Sequence, residues 1–252
     1  MSQDIRKYFE VSNNSKPKCA PMFKKCVITG EETSVSQSHT HSPPKSVNNL
    51  IQQQPKAQAQ YTPDVYSITF EAFTDGSTLG NGGRNAQGGI GVYFPDSLKL
   101  KPVGLNYAKF VIENPSLELK EATNNITELL AISIAIQILT TKFKSEYPEE
   151  DLSRLRIIIY SDSEYSINCI SKWAPSWERN GWQKKGGKKA DRQIKNLEVI
   201  KKLYKVYTSQ RIKFVHLNSH IKEPSNRNSV EWRLWYGNEM ADKLAKQGAN
   251  ER

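Results

Sequence analysis

From residue 65 onward, apolar and polar positions fall into patterns that define elements; before it they do not. SITFEAFTD (67–75) alternates apolar and polar side chains and predicts a strand, because successive strand residues face opposite sides of a sheet. GGIGVYFPD (88–96) predicts its hairpin partner, entered through the glycine-rich turn LGNGGRN. A third strand is expected over 103–111. TNNITELLAISIAIQILTTKF (123–143) predicts a long helix: Thr123, Asn124 and Asn125 supply caps, and Ile126, Leu129, Leu130, Ser133, Ile134 and Ile138 trace one face. LRIIIYSD (155–162) is a continuous apolar run closed by polar residues, the pattern of a central strand covered on both faces. Helices are expected over 163–172 and near 190–208, the second after the glycine-broken KKGGKK. RIKFVHL (211–217) predicts a last strand and GNEMADKLAKQGA (237–249) a closing helix. The order β-β-β-α-β-α-α-β-α gives an α/β class with a mixed sheet flanked by helices. Residues 10–64 are rich in Ser, Asn, Gln, Pro and Lys without periodicity, and all five tryptophans lie after residue 170. Residues 1–64 are therefore expected to be a disordered tail, and 65–252 one domain.

Composition narrows the classes. The 252 residues are 37% hydrophobic with a mean hydropathy of -0.65, enough for one core. No apolar run approaches the roughly 18 residues of a bilayer span, and the start, MSQDIRKYFEV, lacks a signal-peptide pattern, so no membrane role is expected. Three cysteines (Cys19, Cys26, Cys169) are an odd number, which fits a reducing, intracellular setting better than a disulfide framework. Cys19, Cys26, His39 and His41 have poor spacing for a zinc finger. The net charge is +10, and most of it lies between Lys172 and Lys205, where eleven basic residues face three acidic ones. Trp173, Trp177 and Trp182 are interleaved with Lys184, Lys185 and Lys188. Cations that neutralise phosphates and rings that pack on sugars and bases point to a nucleic acid.

Two strands end in the same chemistry, Thr74-Asp75-Gly76-Ser77 and Ser161-Asp162-Ser163. Ligands collect at the carboxyl ends of strands in open α/β sheets. Glu128 sits in the first turn of the long helix and Asp242 on the closing one, so four carboxylates are placed to converge at one sheet edge. Two unit charges about 4 Å apart repel by roughly 1 kcal/mol in water and about 4 kcal/mol at an effective dielectric near 20. Divalent cations relieve that repulsion. An all-oxygen set suits Mg²⁺ or Mn²⁺, and a pair of such ions clamps a phosphodiester for in-line attack.

YSITFEAFTDGS, TNNITELLAI, IIIYSDSEYSINCI and GNEMADKLAKQGA resemble, in order, the four signature segments of type 1 ribonuclease H, over about 65–250. The resemblance implies a ribonuclease H-like fold with a mixed five-stranded sheet, acting as a monomer. It implies Asp75, Glu128, Asp162 and Asp242 as catalytic, metal-binding carboxylates holding two Mg²⁺ (or Mn²⁺) ions. The implied reaction is hydrolysis of the RNA strand of an RNA–DNA hybrid, leaving 5′-phosphate and 3′-hydroxyl ends. His220 matches the family's mobile histidine, which shuttles a proton or helps product leave; His216, at strand spacing, is expected to be structural. Asn81, Asn124 and Asn125 match minor-groove contacts that read the RNA 2′-hydroxyls, and Thr123 matches a phosphate-pocket residue. Trp173 belongs to the groove for the DNA strand. The segment 172–195, with Trp182, Lys184, Lys185 and Lys188, resembles the family's basic handle. Three departures stand out. Glu121 takes a place where arginine is common, Asp191 lies near an expected asparagine, and the stretch from His220 to Asp242, with Trp232, Trp235 and Tyr236, is long.

At the extreme start, Asp4 to Phe9 places Ile5, Tyr8 and Phe9 on one face of a helical turn. It resembles the peptide that docks on the replication sliding clamp, with Gln3 one place off the usual glutamine. The tail contains no hybrid-binding domain of the kind eukaryotic relatives carry, which suits a large DNA virus or a divergent eukaryote. Primer removal or R-loop clearance are the tasks this combination implies. Two other classes are a retired hybrid-binding module, which would lack a carboxylate, and a transposase or junction resolvase, against which the TNN segment, GNEMADKLA and the basic handle argue.

Overall fold

The computed structural model describes the backbone at 51–52 and residues 67–81, 83, 85–115, 119, 121–186, 192–219 and 221–251. Ile51–Gln52 forms strand β1, Ile68–Leu79 β2, Gln87–Tyr93 β3, Val103–Asn106 β4, Leu155–Ser161 β5 and Arg211–Leu217 β6. The helices are α1 (Tyr107–Glu113), α2 (Asn124–Glu146), α3 (Glu164–Asn168), α4 (Ala174–Arg179), α5 (Leu197–Ser209) and α6 (Val230–Asn250), with a π-helical turn Cys169–Trp173 joining α3 to α4. The sheet order is β1-β6-β5-β2-β3-β4. β5 runs parallel to both β2 and β6; β3 and β4 pair antiparallel to β2 and to each other in turn. The five expected strands thus make a mixed sheet, and β1 adds two residues antiparallel to the outer edge, Ile51 against Leu217 and Gln52 against His216.

The two faces of the sheet carry different loads. Phe70, Ala72, Ile157, Ile159, Ile212 and Phe214 point into the larger core with α2, while Phe73, Tyr160, Val215 and Leu217 point the other way, toward Leu234 and Ala241 of α6. This is the two-residue period read from the sequence. α2 is 23 residues long and apolar enough by length and composition to cross a membrane. It is instead the core helix, buried nearly all round because the sheet covers one side and α3 and α5 lie against others.

Close approach of α6 to the sheet depends on missing Cβ atoms. A Cβ on Gly89 would lie 1.9 Å from the Ala245 carbonyl oxygen, and one on Gly91 2.1 Å from that of Ala241. In return, Gly237 of α6 admits the Phe73 ring, which would sit 2.5 Å from a Cβ there. Strand and helix backbones therefore touch almost directly.

Several boundaries differ from the sequence reading. The third strand ends at Asn106, whose side chain accepts a hydrogen bond from the Lys109 N–H and starts α1; Tyr107 and Phe110, one turn apart, are buried by that helix. The helix expected over 163–172 continues through the π-helical turn and α4 to Arg179. The helix expected near 190–208 starts only at Leu197, after Asn196 in the left-handed region. The closing helix starts seven residues earlier than expected, at Val230, with Ser229 accepting from the Trp232 N–H at 3.1 Å. Trp232, Trp235 and Tyr236 are therefore helical rather than part of a long loop. Trp232 stacks on Tyr236 at 4.8 Å, and Arg233 reaches across the sheet to Glu71 at 2.7 Å.

Candidate active site

The parallel register of β2 and β5 sets Thr74 beside Ser161, so Asp75 and Asp162 lie side by side. Asp162 lies just past the end of β5. Asp75 lies within β2, which runs on to Leu79, past the strand end expected at Asp75, because it stays paired with β3. Thr74 and Ser161 are fully buried, and the Thr74 hydroxyl donates to the Tyr160 carbonyl. Glu128 is delivered by α2 just past its first turn, which holds no acid, rather than within that turn as expected, because the helix starts at Asn124. The helix there lies against Gly76, where a Cβ would be 2.3 Å from the Glu128 nitrogen. Thr123 caps α2, its hydroxyl accepting from the Ile126 N–H at 3.4 Å, and Thr127 returns a bond to the Asn124 carbonyl. Carboxylate oxygens of Asp75, Glu128 and Asp162 all lie within 4.8 Å of one another. Asp242, on α6, is close enough to add negative potential at all three. Its own carboxylate accepts from Lys246 one turn on, at 2.7 Å.

Burial dominates the electrostatics. Asp75 and Glu128 are 7% and 8% exposed. Loss of water raises the Asp75 carboxyl to about 8, with the charges of Asp162 and Asp242 adding to it and the Gly76 N–H opposing. Burial likewise holds Glu128 well above the carboxylate range, with Asp75 and Asp162 next in effect. Asp162 is raised by burial and drawn back by a hydrogen bond from Asn238. Glu128 Oε2 is buried without a hydrogen-bond partner. An oxygen-only cluster, crowded with negative charge and carrying an orphaned acceptor, fits a hard divalent cation.

The other expected site residues separate into groups. Asn81 and Asn124 meet: the Asn81 side-chain oxygen accepts from the Asn124 N–H at 3.3 Å, docking the glycine turn on the start of α2. Asn124 and Asn125 are exposed there. Trp173 is half-buried between Tyr165 and Trp177, and Trp182 packs edge-on to Tyr204 with the Lys201 ammonium 5.8 Å from its ring. These rings hold the handle to the domain while Lys184 and Lys185 stay exposed. Lys188, Asp191, His220 and the 4–9 segment with Ile5, Tyr8 and Phe9 lie outside the described residues. His216 bonds through Nε2 to the Asp162 carbonyl oxygen at 3.1 Å, the structural role expected of it. Sequence reasoning missed Asn238. It stands one helical turn before Asp242, a spacing that puts both on one face of α6, and that was the available signal.

The raised Asp75 carboxyl has a consequence for stability. Between pH 3.8 and about 8 the unfolded chain gives up this proton while the ion-free folded chain retains it, so the unfolded state gains with rising pH. The ion-free protein should melt at a lower temperature at pH 8 than at pH 5 as far as this group is concerned. Asp75→Asn should flatten that slope, and Mn²⁺ should raise Tm far more at pH 8, where ion uptake displaces fewer protons. Calorimetry in EDTA and in Mn²⁺ checks this; a pH slope identical in wild type and Asp75→Asn contradicts it.

The model of the RNase H family matches residues 68–250, which include all four carboxylates. A probable ribonuclease H of Acanthamoeba polyphaga mimivirus is 33% identical over 173 residues, 69% of this chain and 65% of that protein. Ribonuclease H1 of Rattus norvegicus is 28% identical over 212 residues, 83% of this chain and 61% of that protein. A ribonuclease H of Actinobacillus succinogenes is 32% identical over 185 residues, 71% of this chain and 88% of that one. The chain thus spans just under two thirds of the viral and rat proteins and most of the bacterial one. A family match running from the start of β2 to the end of α6, over a mixed sheet that brings these acids together, places this chain in the ribonuclease H family.

Proposed function

We propose that the chain is an endonuclease that hydrolyses the RNA strand of RNA–DNA hybrids, leaving 5′-phosphate and 3′-hydroxyl ends. The observation that carries this reading is the meeting of Asp75, Glu128 and Asp162 within 4.8 Å, with Asp242 beside them. Asp75, Glu128, Asp162 and Asp242 would hold two Mg²⁺ ions, or Mn²⁺ in their place. Such ions, when bound, supply an activated water and neutralise charge building on the scissile phosphate. The protein's part is to fix the acids. β2 and β5 present Asp75 and Asp162 in register, the capped start of α2 fixes Glu128, and Lys246 orients Asp242. The His216 contact with the Asp162 carbonyl pins the end of β5. His220, three residues beyond β6, is the proton carrier in this reading.

Substrate choice is assigned to surfaces on either side of the acids. Asn81, Asn124 and Asn125, grouped by the bond between the glycine turn and α2, read the RNA 2′-hydroxyls, and Thr123 faces a phosphate. Trp173, Trp182, Lys184, Lys185 and Lys188 grip the DNA strand. At the other end of the chain, Ile5, Tyr8 and Phe9 are proposed to dock on a sliding clamp, which would bring the enzyme to replication primers.

With Mg²⁺, wild type should cut a fluorescent RNA–DNA hybrid and leave duplex DNA intact, and EDTA should stop it. Asp75→Asn should lose several orders of magnitude in rate while still binding hybrid; cutting at the wild-type rate would show the assignment wrong. For the clamp, a peptide of residues 1–15 should bind a eukaryotic-type clamp by calorimetry, and Ile5→Ala with Phe9→Ala should abolish binding. No heat of binding at high micromolar peptide ends that part of the proposal.

A further inference from the structure

The long stretch between His220 and Asp242 places about three helical turns of α6 ahead of the acid, and those turns carry Trp232, Trp235 and Tyr236, all half-buried. These rings differ from the tryptophans of the basic handle. Trp173, Trp177 and Trp182 pack on the large core, whereas the α6 rings belong to neither core. They pack on one another and on Tyr93. Trp232 stacks on Tyr236 at 4.8 Å, and Tyr93 meets Tyr236 edge-on at 5.8 Å, so Tyr236 is held between them. The Trp232 indole N–H donates to Glu223 at 3.1 Å, which ties the cluster to the loop before α6. Trp235 is less engaged. It meets Trp232 at a tilt, 6.3 Å away, and no ring stacks on it among the described residues. Large rings gathered outside a core mark a surface that takes a partner.

The surroundings of Trp235 say which partner. A hollow of about 690 Å³ runs along the outer side of α6, and Trp235, Tyr236, Met240, Asp242 and Lys243 help to line it. Trp235 stands seven residues before Asp242, about 10 Å along the helix axis. The hollow is therefore continuous with the acids assigned to the scissile RNA linkage. Its charges nearly cancel: Glu251 is paired with Lys109 and Asp242 with Lys246, which leaves Glu239 and Lys243. A lining without a positive surplus gains little from phosphates, so a strand lying there is held mainly by its bases. A paired base is already stacked within its duplex, while an unpaired one has a face to offer. We propose that Trp235, backed by the Trp232–Tyr236 stack, stacks an unpaired base of the RNA strand where that strand continues beyond the hybrid. The separation from Asp242 spans about three nucleotides at about 3.4 Å each, which sets cutting close to the junction of hybrid and single strand. This rests on the ribonuclease H reading above, and the experiment separates the two.

Full-length protein is titrated in EDTA with a labelled hybrid that is blunt, carries a short unpaired RNA extension at either end, or carries a DNA extension. Affinity is read by fluorescence anisotropy, and the same hybrids are then cut with Mg²⁺. An RNA extension at one end should tighten binding about tenfold. That gain should persist from about 50 to 200 mM salt, while affinity for blunt hybrid falls steeply. In Trp235→Ala the ratio of extended to blunt affinity should drop to near one, and Trp235→Phe, which keeps a ring, should retain most of it. Trp235→Leu, with apolar bulk but no ring, repeats the measurement should the alanine variant lose its near-ultraviolet circular dichroism. Blunt hybrid bound and cut with no gain from an RNA extension overturns the role of Trp235 and leaves the enzyme reading standing. So does a gain that comes from DNA extensions instead, one that vanishes with salt, or one that a folded Trp235→Ala keeps. Wild type that neither binds nor cuts any of these hybrids overturns the reading itself.

Discussion

Asp75 and Glu128, nearly closed to water, and the half-buried Asp162 share a space 4.8 Å across, and the surrounding elements are arranged to hold that repulsive crowding in place. No free carboxylate would choose this company. The group is held because each acid is fastened to backbone that has other reasons to be where it is. Asp75 continues a strand hydrogen-bonded on both sides, Asp162 follows a strand sealed between two parallel neighbours, and Glu128 rides on a helix whose apolar surface is the core. Packing elsewhere supplies the stability against which this crowding is held, and cations bound among the acids would relieve it.

Glycine is the means by which this crowding is enforced. Gly76 lets the start of α2 lie on β2, while Gly89 and Gly91 let α6 lie on β3 from the other face. The two helices that carry Glu128 and Asp242 therefore press on the same strand pair from opposite sides. Wider spacing on either face would pull an acid out of the group. The Arg233–Glu71–Tyr160 contacts tie the early turns of α6 to β2 and β5.

Much of this could be read from the residues. Acids after two apolar strand runs, an acid near a capped helix start and an acid on a final helix are local patterns, and the structure gathers the first three and keeps the fourth beside them, although β2 runs on past Asp75 and Glu128 lies beyond the first turn of α2. What the sequence hid is mostly tertiary. Gly237 reads as a helix breaker until Phe73 is seen beneath it, so the first two turns of α6 pass for a loop. Asn106 serves both the last pair of β4 and the cap of α1, and a strand pattern alone runs past it. The handle tryptophans read as a ligand face by composition, and their second task, packing half-buried against the core, is one that composition alone does not reveal. Asn238 carries no chemistry on its own; its meaning appears only when α6 sets it against Asp162.

The central claim is that these acids are held together in order to bind divalent ions. Anomalous scattering from crystals grown with millimolar Mn²⁺ tests it most directly. The account predicts strong peaks among the carboxylates of Asp75, Glu128, Asp162 and Asp242. Well-ordered side chains there without a peak, or ions bound only at other acids, would contradict it.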